Sequence, residues 1–443
     1  MIVLRYERGR VVAEGGEIPF GEPHGDTGGY RAPAIRYRDI IEHLKRHKTE
    51  YRDEADRSPQ CPPLSSGINL RDYQEDALNA WREAGHRGVI VLPTGAGKTI
   101  VALKAIERLG VATLIVVPTL VLLEQWRQRI KEEFNILVGA LGGGKVDIRP
   151  ITVTTYASAG IRADKLGNRF RLLIFDEVHH LPAASYRKIA LRYIAPYRMG
   201  LTATLNREDG SHEALSFLVG DVVHEMEVDE LAGDYLAHYT VRTLHIPLSA
   251  REQAEYNENY GRYRSFLQRR GIRIRSARDY RRFVMRSGRD PEARRALLSR
   301  NRAMDLAQNS TSKVEYLKGL LKEHQGEKTL IFTRHNKLVY RISGEMLIPA
   351  ITHQTPKEER REILGGFRSG RYMRVVTSRV LDEGVDVPDA SLAVILSGTG
   401  SSRQFIQRLG RVLRKKGEKR ARLVELVSTG TAETRISRRR KRR

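Results

Sequence analysis

The chain has 443 residues, with 78 Lys+Arg against 53 Asp+Glu, a net charge of +25 at pH 7. Its hydrophobic share of 40% excludes wholesale disorder, and its apolar runs fall well short of the roughly 18 residues a membrane span needs. A single cysteine, Cys61, excludes a disulfide framework and an all-cysteine metal cage, and the opening Met-Ile-Val-Leu-Arg lacks the order of a signal peptide, so a cytoplasmic protein of about two to four domains is expected.

Residues 1–65 read as a small first unit. Val3, Arg5, Val11 and Val12 suggest strands, and Ala34 to Lys45 places Ile35, Ile40, Ile41 and Leu44 at helical spacing. Pro59, Pro62 and Pro63, within Ser58 to Ser66, mark a linker. From 66 to 238, strand and helix alternate. The strands are Gly88 to Leu92, Thr113 to Val117, Ile151 to Thr154, Leu172 to Phe175 and Arg198 to Leu201; helices are predicted at Lys98 to Leu109 and Leu120 to Phe134. Such alternation argues for a parallel sheet covered on both faces. The pattern breaks over 239–305, a helical, arginine-rich insertion, and returns over 306–430. There Lys328 to Phe332, Arg374 to Thr377 and Leu392 to Leu396 read as strands, and Lys337 to Leu347, Lys357 to Phe367 and Ser402 to Leu413 as helices. Residues 431–443 form a basic tail.

The charge is uneven. Residues 261–300 hold fourteen Arg, no Lys and three acids. Arginine's planar fork suits bidentate phosphate contact, so this segment is expected to grip a nucleic-acid backbone. The last nine residues hold seven Lys/Arg; removing them still leaves +18. Nucleic-acid contact and simple solvation are both open for that tail.

Four stretches carry chemistry. Pro93-Thr94-Gly95-Ala96-Gly97-Lys98-Thr99 follows a strand and opens a helix, the arrangement that aims backbone N–H groups at a phosphate chain. Lys98 is expected on the β- and γ-phosphates of ATP and Thr99 on Mg²⁺. The stricter form of such loops has Gly six residues before the lysine, where this chain has Leu92. The apolar strand at 172–175 runs into Asp176 and Glu177: Asp176 is placed to hold Mg²⁺ and Glu177 to polarise the attacking water. Adjacent histidines are expected to point apart, and no cysteine lies near, so His179 reads as a hydrogen-bonding link rather than a zinc ligand. Thr202 and Thr204 end another strand and are candidates for coupling the nucleotide site to a second ligand. Gln407, Arg411 and Arg414 share one helix face, a stripe suited to a γ-phosphate and its developing charge.

Taken together, these residues resemble the signature set of superfamily 2 helicases over about residues 70 to 415. The resemblance implies two RecA-like parallel-sheet domains in tandem, within an α/β architecture carrying a small N-terminal α+β domain and the helical insertion. Gln74, with Arg71, matches the adenine-reading element; Val117-Pro118-Thr119 matches motif Ia; Asp176 to His179 matches a DEVH form of motif II; and Thr202 to Thr204 match motif III. Ile331 to Arg334 match motif IV, Gly384 and Asp386 fall in motif V, and Gln407 to Arg414 in motif VI. Arg207-Glu208-Asp209 resembles the RED element of the XPB helicase family, the arginine-rich segment that family's thumb, and residues 1–65 a damage-recognition module.

The similarity to archaeal XPB DNA repair helicases implies ATP-driven 3′-to-5′ translocation or unwinding of DNA, ATP and Mg²⁺ as cofactors, DNA as partner, and an XPB-associated nuclease as a second partner. Lys98, Thr99, Asp176 and Glu177 are assigned to one lobe's share of the ATP site, Arg411 and Arg414 to the other's. Thr119, Thr155, Arg334 and Thr377 are candidates for backbone contacts, and Arg207 to Asp209 for wedging the duplex. A damaged-DNA-binding switch with little unwinding, and an RNA helicase, stay open alternatives.

Overall fold

The computed structural model describes residues 1–24, 29–205, 213–231, 238–378, 390–397 and 420–441. It divides into two units, Met1–Leu231 and Ala232–Arg443.

The first unit begins with a five-stranded sheet in the order β3-β4-β2-β1-β5, made of β1 (Ile2–Glu7), β2 (Arg10–Glu14), β3 (Glu22–His24), β4 (Gly29–Pro33) and β5 (Tyr51–Asp53). Helix α1 (Tyr37–Arg46) buries Tyr37, Ile40 and Leu44 against it, one helical face as the spacing predicts. This small core also takes in Ile194 from the following module. The Tyr6 hydroxyl lies 2.9 Å from the carbonyl oxygens of both Ala163 and Arg192, and the Asn168 amide donates to the Ala55 carbonyl at 2.9 Å. The β1–β2 turn needs Gly9: its φ is +90°, and a Cβ there would come within 2.6 Å of the Arg192 side chain.

The rest of the unit is an eight-stranded sheet flanked by helices. Its elements are α2 (Asp72–Glu83), β6 (Arg87–Val91), α3 (Lys98–Leu109), β7 (Thr113–Val117), α4 (Leu120–Phe134), β8 (Gly139–Gly142), β9 (Lys145–Asp147), β10 (Ile151–Thr155), α5 (Tyr156–Leu166), β11 (Leu172–Asp176), α6 (Arg187–Arg192), β12 (Tyr197–Thr202), α7 (Ala214–Leu218), β13 (Val222–Glu225) and α8 (Val228–Leu231). Strands β7, β10 and β11 are buried along their whole length, which explains why they read as unbroken apolar runs rather than alternating ones. The order is β13-β6-β12-β11-β7-β10-β8-β9, and only the β8–β9 hairpin is antiparallel. Strand order places the chemistry. β6, β12 and β11 are neighbours, and register sets Val91 beside Thr202 and Leu201 beside Asp176. The loops after these three strands therefore emerge side by side at the carboxyl edge, where ligands bind in open α/β sheets.

The second unit has a six-stranded, all-parallel sheet in the order β14-β19-β18-β15-β17-β16, from β14 (His238–Ile246), β15 (Thr329–Phe332), β16 (Ala350–Ile351), β17 (Arg374–Thr377), β18 (Leu392–Ile395) and β19 (Arg420–Ser428). Between β14 and β15 run α9 (Ala250–Arg269), α10 (Ala277–Ser287), α11 (Pro291–Gln308) and α12 (Thr311–Glu323); α13 (Asn336–Met346) and α14 (Lys357–Ser369) follow β15 and β16. The arginine-rich stretch is helical, but residues 239–246, expected to open it, lie in a sheet strand. The β-branched Thr240, Val241, Thr243 and Ile246 suit that strand, and its partner β19 is supplied from far along the chain. Caps delimit the helices: Ser249 accepts from Glu252 N while the Glu252 carboxylate accepts from Ser249 N, and Asp290 caps α11 ahead of Pro291. Tyr263, Phe266, Phe283, Ala293 and Ala296 make the small core of this helical group.

The basic tail is a further departure from expectation. Glu433–Lys441 forms a helix, α15, and its first residue is anchored inside the unit. The Lys313 ammonium donates to Glu433 at 2.6 Å and to the Leu396 carbonyl at 2.9 Å, and the Glu433 carboxylate also accepts from Ser428 N. Both side chains are almost wholly buried.

Candidate nucleotide site and nucleic-acid edge

The loop between β6 and α3 turns on two glycines in left-handed conformation, Gly95 at φ +91° and Gly97 at φ +83°. A Cβ on Gly97 would lie 2.4 Å from the Gln74 amide nitrogen. Helix α2 straps the loop from outside: the Tyr73 hydroxyl and the Gln74 Nε2 both donate to the Ala96 carbonyl, at 2.7 and 2.9 Å. Gln74 Oε1 accepts from Arg71 N at 3.1 Å, so this side chain bridges the start of α2 to the phosphate loop. Lys98 opens α3 and folds back over the loop, its ammonium 2.9 Å from the Leu92 and 3.2 Å from the Pro93 carbonyl oxygen. Desolvation pulls Lys98 below the ordinary lysine range, opposed by the charges of Glu177 and Asp176. Thr94, Gly95 and Thr99 stay accessible along this turn, while Leu92, Pro93 and Ala96 are buried.

Asp176 ends β11 with its carboxylate buried. Burial raises its pKa, countered by the Trp126 indole, which donates to Oδ2 at 2.8 Å, and by Lys98. The other carboxylate oxygen accepts from Glu177 N at 3.0 Å. Glu177 has φ +51°, a conformation non-glycine residues rarely hold. The Tyr156 hydroxyl, 3.0 Å from the Asp176 carbonyl oxygen, steadies this bend. His179 is fully buried; its Nδ1 lies 3.1 Å from Thr202 Oγ1 and 3.4 Å from a Glu177 carboxylate oxygen. Thr202 in turn donates to the Thr204 carbonyl at 2.8 Å and accepts from Thr204 N. A hydrogen-bonded chain therefore joins His179, Thr202 and Thr204, with the Glu177 carboxylate beside its head. The two adjacent histidines do not point apart: their ring centroids are 4.4 Å from one another, because the chain turns through a single 3₁₀ turn at Val178–His180.

Further along the same edge, Thr119 and Thr155 are the N-caps of α4 and α5, accepting from Leu122 N and Ser158 N at 3.3 and 3.2 Å. Thr119 follows β7 and Thr155 ends the neighbouring β10, so two helix N-termini open beside one another at this edge. Such termini carry partial positive charge and unpaired N–H groups suited to phosphate. In the second unit Arg334 is exposed, with its backbone N donating to Ser397 Oγ at 2.8 Å. Thr377, expected to meet a DNA backbone, is instead fully buried with its hydroxyl donating to the Ser378 carbonyl, so its side chain is closed to such a contact. Arg278, Arg281 and Arg282 on α10 are exposed and make no ion pair among the described residues. Arg207, Glu208, Asp209, Gly384, Asp386, Gln407, Arg411 and Arg414 lie outside the described residues.

Sequence reasoning does not reach Trp126, Tyr156 or Tyr73. Their roles arise from contacts between elements, for which spacing gives no signal; only the nearness of Tyr73 to Gln74 hints at the last.

The glycine-formed cradle, the lysine poised over it, and a hydroxyl and a carboxylate as hard oxygen donors fit a magnesium nucleotide. Among the described residues no three His, Cys, Asp or Glu converge on a metal position. No helix among them is long and apolar enough to cross a membrane.

A parallel sheet presenting this loop, this carboxylate pair and this polar chain at one edge, with a second parallel-sheet unit following it in the chain, defines a superfamily 2 helicase. Residues 67–207 match the family described as type III restriction enzyme, res subunit; residues 312–416 match the helicase conserved C-terminal domain; and residues 4–55 match the xeroderma pigmentosum group B helicase damage recognition domain. The chain is 46% identical over 441 residues to the DNA 3′-5′ translocase XPB2 of Sulfurisphaera tokodaii, covering 100% of both chains. It is 30% identical to the DNA 3′-5′ helicase XPB of Mycobacterium tuberculosis, covering 81% of this chain and 61% of that one. The chain belongs to the XPB helicase family. The Pyrococcus furiosus Hef helicase domain shares the fold, with a TM-score of 0.55 at 19% identity, covering 83% of this chain and 97% of that one.

Proposed function

We propose that the chain is an ATP-dependent DNA translocase, moving 3′ to 5′, that opens or remodels DNA in repair. The observation that carries this reading is the common edge of the first sheet. The phosphate loop, the Asp176–Glu177 pair and the Thr202–Thr204 turn stand there beside the two helix N-termini capped by Thr119 and Thr155. A nucleotide and a nucleic-acid strand can thus bear on adjacent loops of one rigid sheet.

Lys98 leaves the Leu92 and Pro93 carbonyls to meet the β- and γ-phosphates, while the loop N–H groups, with Thr94 to Gly97, cradle the chain of phosphates. Thr99 and Asp176 would hold Mg²⁺, which would supply charge neutralisation on the phosphates. Glu177 accepts the proton of the attacking water, and His179 passes its position to Thr202 and Thr204. Arg71 meets the adenine from the helix start that Gln74 ties to the phosphate loop, Gly384, Asp386 and Gln407 complete the nucleotide contacts, and Arg411 and Arg414 stabilise the transferred phosphoryl group. Thr119, Thr155, Arg334 and the exposed arginines of α10 hold the DNA backbone, Arg207 to Asp209 engage the duplex junction, and the module around residues 4–55 meets distorted DNA. An XPB-associated nuclease is the proposed protein partner.

The test is ATPase activity without nucleic acid and with single-stranded DNA, forked DNA or RNA, beside strand displacement on forks of each polarity. DNA-stimulated hydrolysis with displacement of 3′-tailed forks is expected. Stimulation by RNA alone, or hydrolysis without any movement on DNA, overturns it.

A further inference from the structure

Each of the two helices capped by Thr119 and Thr155 carries one buried aromatic whose polar hydrogen ends on the Asp176–Glu177 segment, on a carboxylate in one case and on backbone carbonyls in the other. Trp126, on the helix capped by Thr119, donates its indole N–H to the Asp176 carboxylate at 2.8 Å. Tyr156, first residue of the helix capped by Thr155, places its hydroxyl 3.0 Å from the Asp176 and 3.4 Å from the Glu177 carbonyl oxygen. The two rings are 3% and 2% exposed, so neither can touch nucleotide or DNA itself. Each therefore acts only through the residues it holds, and what it holds is the pair that binds metal and activates water, one of them in a left-handed backbone conformation.

We propose that Trp126 and Tyr156 are positioning residues that couple a nucleic-acid strand, seated across the starts of α4 and α5, to the orientation of Asp176 and Glu177. A helix moves as a stiff body, so a strand that draws on its N-terminus shifts the indole one to two turns further in. Trp126 sets the metal-binding carboxylate; Tyr156 sets the backbone bend that aims the general base. DNA stimulation of hydrolysis runs through these two hydrogen bonds. The inference rests on the reading of the chain as a DNA-stimulated ATPase.

Trp126→Phe and Tyr156→Phe keep the ring and remove the polar hydrogen. Loss of such an outer partner of a metal ligand typically weakens metal affinity or activity about 10- to 100-fold. We expect Trp126→Phe to raise the half-saturating Mg²⁺ concentration about tenfold or more at fixed ATP. Binding of a fluorescent ADP in EDTA should stay at the wild-type level. We expect Tyr156→Phe to lower DNA-stimulated kcat with the Mg²⁺ dependence unchanged. A purely packing role predicts neither split. If both variants keep wild-type Mg²⁺ dependence and the wild-type ratio of stimulated to basal rate, the inference is overturned. If the wild-type chain itself shows no stimulation by DNA, it is the functional reading that has failed.

A spectroscopic arm needs no turnover. The chain has two tryptophans, so Trp81→Phe leaves Trp126 as the sole indole. Its emission should shift when single-stranded DNA is added without nucleotide; unmoved emission overturns the coupling. Trp81 is itself buried, with its N–H on the Arg198 carbonyl at 2.9 Å. Should that variant not fold, the difference between wild-type and Trp126→Phe spectra reports the same signal.

Discussion

The Lys98 ammonium lies 2.9 Å from the carbonyl oxygen of Leu92, the residue that stands where a stricter phosphate loop has glycine. The Leu92 side chain is fully buried in the sheet core, and its N–H donates to the Thr202 carbonyl at 3.0 Å. Only its backbone faces the lysine, and the same backbone, through an N–H that glycine would equally carry, ties the loop to the polar turn at Thr202. Lys98→Ala is expected to lower ATP hydrolysis by at least about 10²–10³-fold, the scale of losing one preorganised charge-stabilising donor. DNA affinity, measured by fluorescence anisotropy, should persist; normal turnover in this variant would end the assignment.

Arg411→Ala tests the second unit's contribution. A finger that meets charge only in the transition state can be worth about 10³–10⁵ in rate. Single-turnover hydrolysis should fall steeply while ATP affinity changes little. A proportionate loss of affinity would make Arg411 a ground-state binder instead.

The α10 arginines should be visible in salt dependence. Replacing Arg278, Arg281 and Arg282 with Gln is expected to flatten the plot of log affinity against log salt by about 2 to 3 units on duplex DNA, since each phosphate that is no longer neutralised takes away about 0.9 of slope. An unchanged slope removes this face from the DNA grip.

The joint between the N-terminal module and the first helicase sheet carries a pH signature. Burial raises the Tyr6 pKa well above its ordinary value of 10.0, beside the Ala163 and Arg192 carbonyls. Below that value both folded and unfolded chains keep the proton and nothing changes. Above it the unfolded chain ionises first, so stability falls as pH rises from about 10 toward the folded pKa. Denaturant midpoints at pH 9 and pH 11 should differ less in Tyr6→Phe than in wild type.

Glu433 and Lys313 make a different claim. Removing one partner of a buried pair typically costs about 3–5 kcal/mol, because the other charge is left without compensation. Lys313→Met should destabilise the second unit on that scale in equilibrium denaturation, and Lys313→Met with Glu433→Leu should recover most of the loss. A small effect of the single variant would show the pair to be dispensable.

Much of the fold is legible because its local signals agree. Helix Lys98–Leu109, strand Thr113–Val117 and helix Leu120–Phe134 match their predicted ends, since apolar runs, polar breaks and the glycine loop coincide there. Strand β14 escapes a sequence reading because its Thr243 meets Glu425, 182 residues away, and no local pattern announces such pairing. The β8–β9 hairpin escapes it because its strands have four and three residues. Helix α15 reads as a tail because the seven Lys/Arg of residues 435–443 mask the buried glutamate that anchors it. At the site, motif spacing singles out Lys98, Asp176, Glu177, His179 and Thr202. It is silent on Trp126, 50 residues from Asp176 along the chain, whose role exists only once α4 has packed on the sheet.

Strand β14 pairs along its length with β19, and with no other strand among the described residues. During synthesis, therefore, residues 238–246 must leave the ribosome and wait until residues 420–428 follow before that edge can close. The interval is long enough for an open strand to recruit a neighbouring nascent chain. A chain stalled or cleaved before residue 420 would keep a complete phosphate loop yet carry an unfinished, adhesive edge, so premature termination late in the message should yield aggregates rather than a weakened motor.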